Sequence, residues 1–171
     1  MNKALAALAL AAVLFAPAAL PAGPGQAAGG FRVRDVLPAD GLIVASVAAI
    51  RDQSTLDAHY YLADETVLGL GRRTDAVFAR YRAGAGEALV LAVAYPAAGD
   101  VARIYARFGG DFFSGKFEAG SSLFLERLET GDWGAVARTG RVLVVVLEAS
   151  DRAGCEDLLR RLLEQALAAG R

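Results

Sequence analysis

The sequence predicts an α+β fold, in which an antiparallel or mixed sheet of about five to seven strands packs against two to three helices. Residues 88–95 and 141–148 are nearly continuous apolar runs, the composition of strands buried on both faces. Other segments place apolar residues at helical spacing, and the last of these follows the 141–148 run directly. A single strand and helix cannot bury enough surface to be stable, so the rest of the chain must supply neighbouring strands and a second cover.

The first 27 residues have the pattern of a signal peptide. Lys3 precedes a small and apolar run over residues 4–20, and Gly25 and Ala27 satisfy the small-x-small rule for cleavage. An uncleaved N-terminal anchor is the alternative. The pattern predicts a single α+β domain over residues 28–171 in the periplasm or outside the cell, with no membrane span in the mature chain.

The first half of that domain is predicted to contain two short strands, a helix and a hairpin. Residues 31–37 and 42–50 read as strands, although the alanines of the second also permit a helix. Ser54 and Asp57 form a capping-box pattern, which predicts a helix over residues 55–68 that ends at Gly69 or Gly71. Residues 75–82 alternate in polarity, and a loop over 83–87 joins them to the 88–95 strand as a hairpin.

The second half is predicted to repeat the order of hairpin and helix. After the 88–95 strand, Asp100 is a candidate cap for a helix that ends at Gly109 and Gly110. Residues 109–122 are predicted to be a loop, and residues 123–128 and 133–138 to be strands. The order leaves open a ββα duplication, with a chance likeness within an alanine- and leucine-rich chain as the alternative.

The 141–148 run is predicted to be a central strand, and the helix that follows it to lie across the sheet. Ser150 or Asp151 is its predicted N-cap. Its apolar stripe comprises Cys155, Leu158, Leu159, Leu162, Leu163, Ala166 and Leu167.

Composition argues against several classes of function. The chain has 18 basic and 19 acidic residues, and its arginines are scattered along the sequence, so no nucleic-acid partner is predicted. Cys155 is the single cysteine and cannot form an internal disulfide; its position on the helical stripe predicts a small buried side chain. His59 is the single histidine and has no metal ligand at the usual spacing, so no metal site is predicted.

Residues 110–116 match part of a phosphate-binding loop, but the match lacks the context that nucleotide binding needs. Phe117 stands where the motif has serine or threonine, and a helix precedes the loop instead of a strand. No cofactor is therefore predicted. An enzyme would have to use Cys155 or His59, and a periplasmic hydrolase or redox enzyme built on either residue is the alternative function.

The strongest candidate for a binding site is the aromatic loop. Phe112, Phe113, Lys116 and Phe117, together with Trp133, could contact a ligand or partner, or the aromatic side chains could complete the core. The predicted function is a non-enzymatic exported binding or interaction domain for an unknown small molecule or envelope protein. A structural envelope subunit that buries an apolar sheet face in a homodimer is a further alternative.

The order of motifs resembles a bacterial family of exported domains of unknown function. Residues 37–38 read Leu-Pro, residues 80–82 read Arg-Tyr-Arg after a predicted helix, and residues 140–144 read Gly-Arg-Val-Leu-Val after an aromatic strand. The resemblance covers most of the mature chain. It implies export and an α+β fold, and it supplies no catalytic residues.

Overall fold

The computed structural model describes residues 31–64, 66–113 and 117–170. The predicted signal peptide and Lys116 lie outside these ranges. Within them, six strands form one antiparallel sheet in the order β1-β2-β3-β6-β5-β4, and three α-helices pack on it, which confirms the α+β class. The elements are β1 (Ala48–Ile50), α1 (Gln53–Asp57), β2 (Asp75–Ala83), β3 (Gly86–Ala94), α2 (Ala98–Phe112), β4 (Leu123–Arg127), β5 (Trp133–Thr139), β6 (Val142–Ala149) and α3 (Arg152–Ala169), with two 3₁₀ helices at Val33–Val36 and Val44–Ser46.

The two apolar runs form the central strands, as predicted. β3 pairs with β6, and Leu91 lies opposite Val145 near the middle of the register. Both of these side chains are fully buried, as are their neighbours Ala92 and Val144. Strands in this position have helices or loops on both faces, which explains why their residues do not alternate between apolar and polar.

The two faces of the sheet differ in side-chain size. The face that carries Ala92, Ala135 and Ala137 packs against α3 and the first 3₁₀ helix, and is called the α3 face below. The opposite face, called the α2 face, packs against α2, α1 and the segment after α1. Small side chains allow a helix to approach closely, whereas the α2 face is filled by larger residues, namely Phe78, Leu91, Val93, Leu143, Val145 and Leu147.

The order of two strands and a helix occurs twice, as β2-β3-α2 and β5-β6-α3. A two-fold axis normal to the sheet would exchange the two antiparallel hairpins and keep both helices on the same face. Instead, α2 and α3 lie on opposite faces. The two units therefore share their order along the chain, while their arrangement in space differs.

The predicted helix over residues 55–68 is wrong, because α1 ends at Asp57. Asp52 is the N-cap in place of Ser54, and its carboxylate accepts hydrogen bonds from the backbone N–H and the hydroxyl of Thr55, at 2.8 and 2.7 Å. Further on, Asp64 accepts the same pair of bonds from Thr66 at 2.8 Å. Such local side-chain bonds compete with helix formation, so this segment turns and buries its leucines as a loop.

The predicted strand over residues 31–37 is also wrong, and the one over 42–50 is shorter than expected. Val33 and Val36 share one side of a 3₁₀ turn and both enter the core, and Asp75 accepts the N–H of Val33 at 2.8 Å. In the second segment, the Ser46 hydroxyl accepts the N–H of Arg80 at 2.8 Å and so takes the place of a strand partner. Strand pairing of β1 is confined to residues 48–50.

Glycines do not end α2 as predicted, because the helix continues through Phe112. Gly109 lies directly against the ring of Phe117: a Cβ there would lie 2.1 Å from the ring, which would have to move aside. The N-cap of α2 is Ala97, and Asp100 lies inside the first turn, where it pairs with Arg103. Its unbroken course to residue 112 makes Phe112 a helical residue instead of a loop residue.

The β2–β3 hairpin has a two-residue turn, shorter than the predicted loop of five, because Ala83 pairs with Gly86. Gly84 has a positive φ of 57° in this turn. Asp151, one of the two predicted N-caps, is the N-cap of α3, and its carboxylate accepts the N–H of Gly154 at 2.8 Å.

Within the described ranges, no helix combines the length and the apolar character that a membrane span needs.

Candidate functional site

The predicted aromatic loop forms part of a larger aromatic cluster on the α2 face. Phe113 lies at its centre, with its ring centroid 5.0 Å from that of Phe112 and 5.1 Å from that of Phe124. Phe113 is buried, at 3% exposure, whereas Phe112 and Phe117 are half-buried. Phe113 therefore belongs to the core, and the surface that remains for a ligand consists of the outer edges of Phe112 and Phe117.

Phe112 also borders a cleft of about 250 Å³ beside the segment that follows α1. The acidic residues of this cleft, Asp64 and Asp111, lie 2.6 and 3.8 Å from the guanidinium of Arg107. Hydrogen bonds from Thr66, and then Arg107, lower the pKa of Asp64. Arg107 offsets only one of these two negative charges, so the three side chains together keep a net charge of −1.

Trp133 lies on the other face of the sheet, apart from the phenylalanines. It is half-buried at the start of β5 and packs on the α3 face. The guanidinium carbon of Arg152 lies 5.4 Å from its ring centroid, in a cation–π contact. The structure therefore divides the predicted site residues between two faces and does not bring them together.

His59 and Cys155, the two residues on which an enzyme would depend, pack against other side chains as structural residues do. The exposed ring of His59 stacks on Phe78, with the ring centroids 5.2 Å apart. Cys155 is fully buried on α3, and burial, followed by the nearby carboxylates of Glu156 and Asp151, raises its pKa to about 12. A nucleophilic cysteine needs a lowered pKa and access to solvent, and Cys155 has neither.

We expect Cys155 to resist a thiol reagent in the folded protein. At pH 8 a pKa of about 12 leaves about one thiol in ten thousand ionised. Because folding raises this pKa, the neutral thiol favours the folded state at neutral pH, and that contribution is lost as the pH rises above the ordinary pKa of an exposed thiol. Reaction with a chromogenic disulfide should be complete in denaturant and negligible without it; rapid reaction of the native protein would restore the catalytic alternative.

A largely apolar groove lies between β4 and α3. It has a volume of about 340 Å³. Its apolar walls are formed by Leu123, Leu125, Leu159, Leu163 and Leu167, and Glu156, Arg160 and Glu164 form its rim. The whole stripe of α3 was expected to pack on the sheet, but Leu163 is only partly covered and Leu167 is 54% exposed. The leucines at this end of the helix are therefore partly open to solvent.

β4 is also the edge of the sheet, with β5 as its neighbour on one side. The pairing of Leu125 with Ala135, and the hydrogen bonds Arg138 N–H to Ser122 O (2.9 Å) and Leu128 N–H to Asp132 O (2.7 Å), define the register. In that register the backbone groups of Leu125 and Arg127 point away from β5. An open strand edge and an apolar groove thus lie side by side.

Sequence analysis missed the groove, although two signals were present. Leucines alternate at positions 123 and 125, and the stripe of α3 is wider than one sheet contact requires. Neither signal shows that β4 is an edge strand, because the order of strands in the sheet depends on contacts between segments that are distant in sequence. Among the described residues, no group of three or more histidine, cysteine, aspartate or glutamate side chains is placed to hold a metal ion.

Comparison of the chain with protein-family models, with curated proteins and with solved structures found no match.

Proposed function

We propose that this chain is a non-enzymatic, exported interaction domain that docks through the groove between β4 and α3, and that the occupant of the groove is β4 of a second copy. The observation that carries the proposal is the coincidence of an open strand edge with an apolar groove on the same side of the molecule. The signal-peptide pattern of residues 1–27 and the family resemblance support export. The burial of Cys155 supports a role other than catalysis.

The occupant must be an extended segment, because the open edge presents backbone groups. In an antiparallel ladder, alternate residues direct their N–H and C=O groups outward, and for β4 these residues are 123, 125 and 127. The Ser121 hydroxyl already bonds the C=O and the N–H of Leu123, at 2.6 and 3.2 Å. Leu125 and Arg127 remain as the main bonding positions for an added strand.

The occupant must also carry apolar side chains at alternate positions on the α3 face, since Leu125, Leu159 and Leu163 line that side of the groove. β4 itself meets this requirement, with leucines at 123 and 125. Two copies of β4 that pair about Leu125 would form an antiparallel, two-fold symmetric contact in which each chain covers the groove of the other. In this register Arg127 lies opposite Leu123 and Glu126 opposite Phe124, so no like charges face each other.

The oligomeric state of the full chain tests this proposal. We expect sedimentation analysis to give twice the chain mass at about 100 µM, and expect Leu125→Lys or Leu163→Glu to give monomers, because each buries a charge in the apolar contact. Val44→Lys is the matched control, since Val44 is an apolar residue that is 70% exposed and lies outside the groove. Circular dichroism must show that all variants are folded.

A cross-link tests the register independently. In the proposed pairing the two copies of residue 125 form a hydrogen-bonded pair, with Cα atoms about 5.5 Å apart. Leu125→Cys should therefore give a covalent dimer on mild oxidation, whereas Val44→Cys should not, and the buried Cys155 should not interfere. A monomeric parent chain, or equal cross-linking at both positions, would overturn the proposal and direct the search to a different protein partner.

A further inference from the structure

We propose that a pocket at the start of α2 binds a phosphate group attached to a small apolar body. The pocket is called the arginine pocket here; its rim carries Arg72, Arg73 and Arg103, and Tyr95, Pro96 and Ile104 form its floor. Its volume is about 270 Å³. It is independent of the β4–α3 groove, with which it shares no residue.

The rim has an excess of positive charge. Arg103 is paired with Asp100, with a nitrogen–oxygen distance of 2.8 Å, so these two charges compensate each other. Within the described part of the chain, Arg72 and Arg73 form no ion pair. The pocket therefore holds two uncompensated guanidinium groups, which matches the charge of a phosphate monoester.

The two free arginines are held on an ordered turn. Thr74 closes this turn, because its hydroxyl donates to the C=O of Gly71 and accepts the N–H of the same residue, at 2.8 and 2.9 Å. The backbone N–H of Thr74 also donates to the C=O of Gly71 at 3.0 Å. These bonds fix where the two side chains begin, so a ligand needs to order only the ends of the arginines.

The floor determines the rest of the ligand. Tyr95 is buried and its hydroxyl donates to the C=O of Leu68 at 2.7 Å, so the ring presents carbon to the pocket while its polar end is occupied. Ile104 is also buried, and Pro96 has no backbone N–H to offer. A phosphate ion alone would leave this apolar floor uncovered, whereas a phosphate ester with a small aromatic or aliphatic group would cover it.

A second hollow extends the positive charge. Arg73 lies between the arginine pocket and a neighbouring hollow of about 190 Å³, which also contains Arg141. The guanidinium of Arg141 stacks on Phe31, with 5.2 Å between its carbon and the ring centroid. Asp75 lines the same hollow and offsets one of its two positive charges, and its carboxylate also accepts the N–H of Val33 at 2.8 Å. Four arginines that are distant in sequence, Arg72 and Arg73 with Arg103 and Arg141, are thus gathered at this end of the sheet, which linear spacing does not reveal.

Calorimetric titration of the full chain with phenyl phosphate at low ionic strength tests the proposal. We expect one site per chain, no binding of phenol, and weaker binding as salt is added. Arg72→Gln and Arg73→Gln should each weaken binding about tenfold, because each removes a charge-assisted hydrogen bond. Asp100→Asn should tighten binding, since it removes the negative charge from the rim.

Arg152→Gln is the matched control, because it makes the same charge change at the opposite end of the sheet, next to Trp133. A second arm uses vesicles that contain phosphatidic acid, whose headgroup is a phosphate monoester, and so distinguishes a lipid headgroup from a free phosphate ester. Binding in either arm that depends on Arg72 and Arg73 supports the proposal and identifies the source. Absence of binding in both arms, or an equal loss in Arg152→Gln, would overturn it.

Discussion

Replacing Gly154 by valine is expected to destabilise the fold by about 3 kcal/mol, through a clash between α3 and the β2–β3 turn. A Cβ at position 154 would lie 2.8 Å from the backbone nitrogen of Gly84 and 2.9 Å from the carbonyl carbon of Ala83. Both neighbours are backbone atoms, which cannot rotate away as a flexible side chain can. Valine adds two methyl groups to this contact, so the helix must move from the hairpin.

The same place also contains the polar link between α3 and the hairpin. The Asp151 carboxylate accepts the N–H groups of Gly154 and Ala85, each at 2.8 Å. These two bonds lower the pKa of Asp151. Because the folded-state pKa is depressed, the link stabilises the fold above the ordinary pKa of aspartate and is lost as the pH falls through the lowered value. A shift of α3 in Gly154→Val removes this link as well as the packing.

Guanidinium unfolding of Gly154→Val and Gly110→Ala provides the comparison. Gly110 lies within α2, and a Cβ there would meet no atom within 4 Å. Alanine at that position should stabilise the fold by about 0.5–1 kcal/mol, because glycine is costly in a helix. If Gly154→Val were as stable as the parent chain, α3 could not lie against the turn as described.

The central part of the fold could be predicted because its signals are local and strong. The apolar runs of β3 and β6 are long and uninterrupted, and Asp151 stands directly between β6 and the stripe of α3. The helix predicted after α1 is absent for a physical reason. Thr66 donates hydrogen bonds to Asp64, and these local bonds compete with a helix in a way that the spacing of the leucines does not reveal.

The candidate sites could not be predicted in the same way, because each depends on residues that are distant in sequence. The β4–α3 groove joins Leu123 to Leu167, and the arginine pocket joins Arg73 to Arg103. Sequence spacing shows which residues share one element, but it does not show which strand is an edge or which turns meet. The aromatic loop was found from composition alone, and composition does not distinguish Phe113, in the core, from Phe112, at the surface.

Phe113→Ala is expected to cost about 3–5 kcal/mol of unfolding free energy, because it removes a large buried side chain and leaves a cavity. Phe113 has edge-on contacts with Phe108, Phe112 and Phe124, with centroid distances of 6.3, 5.0 and 5.1 Å. It also lies against Gly134 of β5, where a Cβ would approach its ring to 3.1 Å. The ring thus links the end of α2 to the sheet.

Phe112→Ala is the matched comparison, one residue away in the same helix end. Phe112 is half-buried and stacks on Phe108 with 4.8 Å between the centroids, so its removal should cost about 1 kcal/mol or slightly more. The free energies of unfolding of both variants are to be measured in one chemical-denaturation series. A Phe113→Ala variant as stable as Phe112→Ala would contradict the core assignment, because an exposed ring leaves no cavity when it is removed. A large loss for Phe113 with a small one for Phe112 would confine any ligand contact in this region to the surface of Phe112 and Phe117.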